Sequence, residues 1–273
     1  MSAHHVKVFP QNTQGRDFVM GDIHGAYDSV LQRMKDVAFN KKIDRLYVAG
    51  DLIDRGPQSK RVKAFLEQPY VHSVLGNHEF DFLSLSPEDL QILAECKWDK
   101  DRFFWVRNCS DSEILEIQKL FETLPIVIEV QTVRGVVGIV HADVPKGMDW
   151  NTFKRQIIEN DKNTIYTALY SRGRLKRNDH SGVIGIDRLF VGHSIQWDGP
   201  KRLGNVYHVD SGAIFREIGE NRGFLTMANI ACHSQVLTPQ DRKTGPKNVG
   251  LYPGSKVTSF GQYAEETFDD LPK

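Results

Sequence analysis

Short apolar runs in this sequence repeatedly stop at a small polar cluster, and that repetition limits the fold more than any other feature. Phe18-Val19-Met20 runs into Gly21-Asp22-Ile23-His24-Gly25, and Leu46-Tyr47-Val48-Ala49 into Gly50-Asp51-Leu52-Ile53-Asp54-Arg55-Gly56. Val71 to Leu75 ends at Gly76-Asn77-His78-Glu79. Val136 to Val140 precedes His141-Ala142-Asp143, and Leu189-Phe190-Val191 precedes Gly192-His193-Ser194. Buried polar groups need partners, so clusters this polar are poor candidates for a packed core. In open α/β sheets ligands gather at the carboxyl ends of strands, which is where each cluster falls.

The segments between clusters set the fold class. The amphipathic run from Tyr27 to Phe39 reads as a helix, as does Gln58 to Leu66. Consecutive β-rich runs follow: Ile126 to Val130 and Val136 to Val140, with a hairpin turn near Arg134-Gly135, then Leu189 to Val191, Val206 to Val209 and Phe224 to Ile230. A βαβα opening followed by successive strands predicts an α/β (α+β) protein whose second half is mixed or antiparallel. Residues 84–124 break the pattern with Trp98, Phe103, Phe104 and Trp105, then a helical run from Ser112 to Phe121. They read as a mostly helical insertion over the site, with the aromatics in local packing. One catalytic domain is expected over 1–237. Residues 238–273, rich in Pro, Gly and Lys and ending in acidic Glu265-Glu266 and Asp269-Asp270, read as an extended or partly disordered arm.

Bulk properties exclude several classes. Lys plus Arg equals Asp plus Glu at 35 each, so no global field favours DNA or a membrane surface. No stretch approaches the length of a membrane span, and the N-terminus lacks an apolar signal core. Cys96, Cys109 and Cys232 lack CxxC spacing, which argues against a disulfide framework or thiolate zinc site and makes a reducing cytoplasm the default expectation.

The clusters supply Asp, His and Asn in the mixture a pair of divalent cations requires. Asp22 and His24, one residue apart, can point to the same side and hold one ion. Asp51, after the neighbouring strand, can bridge it to a second, whose shell Asn77, His141 and His193 would complete. A mixed oxygen and nitrogen shell suits Mn²⁺, Fe²⁺ or Zn²⁺ better than Ca²⁺ or Mg²⁺.

In this order and with these spellings, the five blocks resemble the phosphoprotein phosphatase family of metallophosphoesterases, especially its bacterial and bacteriophage lambda type. The resemblance runs from about Asp17 to about Ile230. It implies two mixed β-sheets packed as a sandwich with helices outside, where periodicity alone does not separate one sheet from two. It assigns Asp22, His24 and Asp51 to one metal and Asp51, Asn77, His141 and His193 to the other, with Mn²⁺ the expected cofactor. Two such ions clamp an in-line phosphoryl displacement and make an activated hydroxide available near neutral pH. His78, paired with Asp54, is then the general acid that protonates the leaving alkoxide. Arg55 is the first candidate for the phosphoryl oxygens. Arg172, in Tyr170-Ser171-Arg172, resembles the second substrate arginine, although the family usually has Trp at the position of Tyr170.

The expected activity is hydrolysis of phosphoserine or phosphothreonine in a protein or peptide. The alternative is symmetrical hydrolysis of a dinucleoside polyphosphate such as diadenosine tetraphosphate, or a related RNA 5′-end phosphohydrolase. Asp54-Arg55, His78-Glu79 and His141-Ala142-Asp143 favour the first; Pro57 after Gly56 is shared with the second. An inactive scaffold is disfavoured because every ligand position is filled. Asp143 and Glu79 either support ligands or cap turns, and His208, in Tyr207 to Gly212, is a lesser candidate for support. His4, His5, His72, His180 and His233 belong to no cluster. Arg174, Lys176 and Arg177 read as a solvated basic face or, beside Arg172, as a place to receive an acidic peptide or polyphosphate, and Asp44 and Arg45 as ordinary strand-entry residues.

Overall fold

The computed structural model describes residues 5–96, 102–232 and 250–252. In chain order its strands are β1 (Val6–Phe9), β2 (Arg16–Met20), β3 (Arg45–Val48), β4 (Val71–Ser73), β5 (Val127–Thr132), β6 (Gly135–Val140), β7 (Arg188–Val191), β8 (Lys201–Leu203), β9 (Val206–His208), β10 (Met227–Cys232) and β11 (Gly250–Tyr252). A five-stranded sheet runs β11-β10-β2-β3-β4, parallel from β2 to β4 and antiparallel at β10 and β11. A six-stranded sheet runs β1-β5-β6-β7-β9-β8, with parallel pairs β1/β5, β6/β7 and β7/β9 and antiparallel pairs β5/β6 and β8/β9. Both sheets are therefore mixed, as the resemblance implied.

Strand alternation explains how they stack. Val19 of β2 and Tyr47 of β3 pack against Ile128, Val130, Val137, Ile139 and Phe190 of the other sheet, forming the sandwich interior. Their neighbours Phe18, Met20, Leu46 and Val48 point the other way, onto helices. There α1 (Tyr27–Asp36) offers Tyr27, Val30, Leu31 and Met34, a buried stripe at helical spacing. It stops short of Phe39 because Ala38 is left-handed (φ 48°). The expected helix from Gln58 begins as a 3₁₀ turn over Ser59–Arg61 and becomes α2 (Val62–Leu66). Asn77–Leu83 forms α3 at the end of β4.

The insertion is helical where described. Helices α4 (Pro87–Glu95) and α5 (Asp111–Phe121) start at reciprocal Ser caps, Ser86 with Asp89 and Ser110 with Glu113. Between them lies a 3₁₀ turn, Phe104–Asn108, and the buried Phe103, Trp105, Ile114 and Phe121 join the α1 core. Trp98 lies outside the described residues.

Several elements depart from expectation. Just after His5, Val6–Phe9 forms a strand that was not read from the sequence and pairs with β5. Within the expected C-terminal arm, Gly250–Tyr252 pairs antiparallel with β10; its remaining residues lie outside the described ones. Helices α6 (Trp150–Ile158), α7 (Lys162–Tyr170) and α8 (Gly173–Arg177) went unread, as did β8. The α6 and α7 pair covers the outer face of the second sheet through Trp150, Phe153, Ile157 and Ala168. Nor are Asp44 and Arg45 ordinary. Asp44 is buried against Arg16 at 2.6 Å, and Arg45 reaches Asp17 at 2.7 Å, so crossed ion pairs lock β2 to β3.

Candidate dinuclear metal centre

The polar clusters converge where β2, β3, β4, β6 and β7 end, at one edge of the two sheets. Their backbone is unusual. His24 (φ 47°), Asp51 (φ 53°), Asp54 (φ 71°), Arg55 (φ 64°) and His193 (φ 63°) are all left-handed without being glycine. Strain of this kind concentrates at functional sites, where the surrounding fold enforces it. Two glycines are needed for close approach: a Cβ on Gly192 would run into the Asp22 carboxylate, and one on Gly76 into Asp51.

Asp51 lies at the centre. Its Oδ1 is 3.4 Å from His141 Nε2 and its Oδ2 is 3.5 Å from His24 Nε2. Asn77 Oδ1 is 3.0 Å, and His193 Nδ1 3.1 Å, from the same His141 Nε2. Asp22 Oδ2 is 4.0 Å from His24 Nε2, and the Asp22 carboxylate accepts the His193 main-chain N–H at 3.0 Å. The six expected ligands are thus brought together. His24, Asp51 and His78 form one group and Asp51, His141 and His193 another, each with its ligand atoms within 4.8 Å of one another. Asp51 belongs to both.

Hydrogen bonding fixes the tautomers. Main-chain carbonyls only accept, so His24 Nδ1 donates to Ile53 O (2.9 Å), His141 Nδ1 to Ala49 O (2.7 Å) and His193 Nε2 to Tyr170 O (3.1 Å). The opposite nitrogen of each ring turns a lone pair inward. His24 Nε2 is buried with no hydrogen-bond partner among the described residues. Burial, then the Arg55 guanidinium, holds the His24 pKa well below the usual imidazole range. Burial, then His141, lowers His193 to about 3, so these rings are neutral. Burial raises Asp22 well above the usual carboxylate range, with the Asp210 and Asp51 charges adding to it. Asp210, a buried neighbour not singled out from the sequence, is pushed up to about 6, chiefly by burial. Neutral nitrogens facing crowded carboxylates are what divalent cations relieve, so these residues fit two such ions.

His78 is different. Its Nδ1 meets Asp54 Oδ2 at 2.6 Å, and its Nε2 is 3.9 Å from Asp51 Oδ2. Burial disfavours the imidazolium, but Asp51 and Asp54 outweigh it and the pKa is raised. A ring that retains its proton is a poor ligand and a good donor. Arg55 is half-buried, with φ in the left-handed region, and its charge acts on Asp22, His24 and Asp210. Arg172 is exposed, donates from Nη1 to Ser194 Oγ at 3.0 Å, and its charge acts on His141 and His193.

The sequence matches the calcineurin-like phosphoesterase family across residues 18–210. The chain belongs to that family. Among curated relatives it is 31% identical to serine/threonine-protein phosphatase 1 of Salmonella typhimurium, over 78% of this chain and 91% of that protein. It is also 31% identical to a symmetrical bis(5′-nucleosyl)-tetraphosphatase of Nitrosococcus oceani, over 48% of this chain and 45% of that protein. A solved structure described as a putative diadenosine tetraphosphatase covers 92% of this chain, and 99% of its own chain is matched, with TM-score 0.60 and 20% identity, a likeness of fold. The calcineurin-like chain is therefore a hydrolase of phosphoric esters built around a dinuclear metal site. No helix among the described residues is long and apolar enough to cross a membrane.

Other expectations sort by contact. The Glu79 carboxylate accepts the main-chain N–H groups of Asp51 (2.9 Å), Leu52 (2.7 Å), Ile53 (3.3 Å) and Gly76 (3.0 Å), so it both clamps the Asp51 loop and caps α3. Asp143 binds Arg174 Nε at 2.9 Å and Val144 N at 2.8 Å, a local role. Arg174 is therefore no solvated surface residue: it is buried, while Lys176 and Arg177 are exposed. His208 is buried, and neither ring nitrogen has a partner among the described residues. The sequence also concealed a strap across the site. Tyr170 OH donates to Asp81 Oδ1 at 2.5 Å, and Arg102 Nη2 to Asp81 Oδ2 at 2.6 Å.

Proposed function

We propose that this calcineurin-like enzyme removes phosphate from phosphoserine and phosphothreonine in proteins, with two divalent ions, Mn²⁺ first among them, in a reducing cytoplasm. Residues 1–237 form the catalytic domain in this reading. The observation that carries it is the sharing of Asp51 between two groups of inward-facing side chains, one with His24 and His78 and the other with His141 and His193. Asp22, His24 and Asp51 would hold one ion, and Asp51, Asn77, His141 and His193 the other. The pair supplies Lewis acidity toward phosphoryl oxygens and lowers the pKa of a nearby water. Arg55 and Arg172 bind the phosphoryl oxygens, bidentate where geometry allows. His78, held by Asp54, gives its Nε2 proton to the departing alkoxide, and Glu79 holds the Asp51 loop in register.

Two considerations favour a phosphoprotein. The similarity to the Salmonella typhimurium protein phosphatase spans 91% of that protein, against 45% of the tetraphosphatase. The His78–Asp54 pair also suits an alkyl leaving group, which needs a proton. One observation favours a nucleotide: Trp197 is 41% exposed, with the Arg222 guanidinium 4.2 Å from its ring centroid, and a Cβ on Gly212, two residues beyond Asp210, would run into its ring. Such a ring could stack a base.

Turnover of Mn²⁺-loaded protein on phosphopeptides and on diadenosine tetraphosphate decides between them. A kcat/KM preference of about a hundredfold for peptides is expected. The reverse preference would move the substrate to the Trp197 shelf.

A further inference from the structure

Among the described residues, the insertion reaches the site at Asp54, which is fully buried. Asp54 Oδ2 faces His78, while Oδ1 accepts the Phe103 main-chain N–H at 2.9 Å and the Trp105 indole N–H at 2.8 Å. Both donors belong to the turn that separates α4 from α5. Phe103 is left-handed (φ 57°) where it enters the 3₁₀ turn that carries Trp105. The Trp105 ring stacks on Phe82, 5.5 Å between centroids and 12° between planes. Phe82 lies on α3, the helix that begins with Asn77 and His78, so one rigid unit presents both the indole and the imidazole.

A carboxylate held through a single oxygen turns about its last side-chain torsion, whose energy well is broad. Two N–H donors on the second oxygen remove that freedom. They also stabilise the anion that His78 requires as its partner.

We propose that Trp105 is a positioning residue for phosphate-ester hydrolysis: its indole N–H fixes the plane of the Asp54 carboxylate, and thereby aims His78 Nε2 at the leaving oxygen. The inference rests on the reading of His78 as proton donor. In that step the attacking water oxygen bonds to phosphorus and releases its own proton to solvent. The electron pair of the breaking P–O bond goes to the leaving oxygen, which takes the Nε2 proton. An alkoxide leaves badly without that proton, whereas p-nitrophenolate is stable as an anion. Loss of aim therefore penalises alkyl esters selectively, which a purely structural role for Trp105 would not do.

The test compares kcat and KM of Mn²⁺-loaded full-length protein on a phosphoserine peptide and on p-nitrophenyl phosphate. The variants are Trp105→Phe and Trp105→3-benzothienylalanine, which replaces only the N–H by sulfur and keeps the ring stack; Asp54→Asn and His78→Asn are measured alongside. The expected result is a fall of about fivefold or more in the peptide-to-aryl kcat ratio for both Trp105 variants, with KM within about twofold and a larger fall for Asp54→Asn. An unchanged ratio in the benzothienyl variant, with a lowered one in Asp54→Asn, overturns the role of Trp105 and leaves the His78 reading standing. Equal losses on both esters reduce Trp105 to packing and also overturn it. An unchanged ratio in Asp54→Asn and His78→Asn removes the proton-donor reading, and this inference with it.

Discussion

His141 Nε2 and His193 Nδ1 stand 3.1 Å apart, each with its other ring nitrogen committed to a main-chain carbonyl. Two lone pairs at that separation repel unless a cation lies between them. Removing metal should therefore lower thermal stability, and saturating Mn²⁺ should restore it. At a hundredfold excess over Kd the gain per site is about 2.7 kcal/mol. Elemental analysis of His141→Ala should show bound metal falling from about two equivalents to about one, since the first group keeps its own ligands. Tm unmoved by chelator and Mn²⁺ would contradict this.

Arg172 is exposed and tied only lightly, to Ser194 Oγ, so its guanidinium is available to an incoming anion. Charge-assisted hydrogen bonds contribute about 1.5–3 kcal/mol. Arg172→Ala and Arg55→Ala should each lower kcat/KM by about ten- to a hundredfold on every phosphate ester, Arg172 mainly through KM. Initial rates across a substrate series check this. Unchanged kinetics for either variant would remove that arginine from the substrate site.

Tyr170 serves the site twice, through its carbonyl on His193 and its hydroxyl on Asp81. Tyr170→Phe keeps the first contact and cuts the second. Loss of a hydrogen bond to a charged group, about 1.5–3 kcal/mol, should appear mainly as a KM rise of about tenfold on phosphopeptides as the Asp81–Arg102 strap loosens. Metal content should not change. A loss of metal would show that the hydroxyl, and not only the carbonyl, supports His193.

The Glu217 carboxylate accepts both the N–H (2.8 Å) and the hydroxyl (2.7 Å) of Ser29. Burial dominates and raises its pKa from 4.5 to about 7. The folded state then binds more protons than the unfolded state between those values. Stability from this group is therefore complete below about pH 4.5 and is lost as pH rises through about 7, a change on the order of 1–3 kcal/mol. Urea midpoints between pH 5 and 8 should fall with pH, and Glu217→Gln should flatten that slope. An identical slope in the variant would contradict it.

The Arg16–Asp44 pair is the sharpest target for stability. Asp44 also accepts the Arg16 main-chain N–H at 2.7 Å and that of Asn40 at 2.9 Å. Asp44→Ala strands a buried guanidinium and should cost about 3–5 kcal/mol, read as a urea midpoint. Asp44→Asn, which keeps acceptors for the N–H groups, should cost less.

The side chains that converge at the candidate site were legible because each is encoded locally, a few residues past a β-rich run, so chain order and spelling carried the information. The partners of Asp54 were not, because Trp105 lies 51 residues further along and meets it only after the insertion folds. Arg174 was misread for a similar reason. Within Arg174-Leu175-Lys176-Arg177 composition suggests a wet face, yet the short α8 turns Arg174 inward onto Asp143. Strands β1 and β8 escaped notice because edge strands bury few side chains and leave little alternation to detect: Val8 is 56% exposed, and Lys201 and Arg202 face solvent.

The left-handed backbone at His24, Asp51, Asp54, Arg55 and His193 bears on any attempt to toughen this enzyme. Protein engineers relieve such residues by exchange for glycine, and here every one of them carries a side chain that the proposed chemistry uses. The routes to a hardier variant therefore lie elsewhere, in helix caps, surface charge and the half-buried Glu217. Libraries screened for heat resistance alone will tend to recover well-folded proteins that no longer cut phosphate esters.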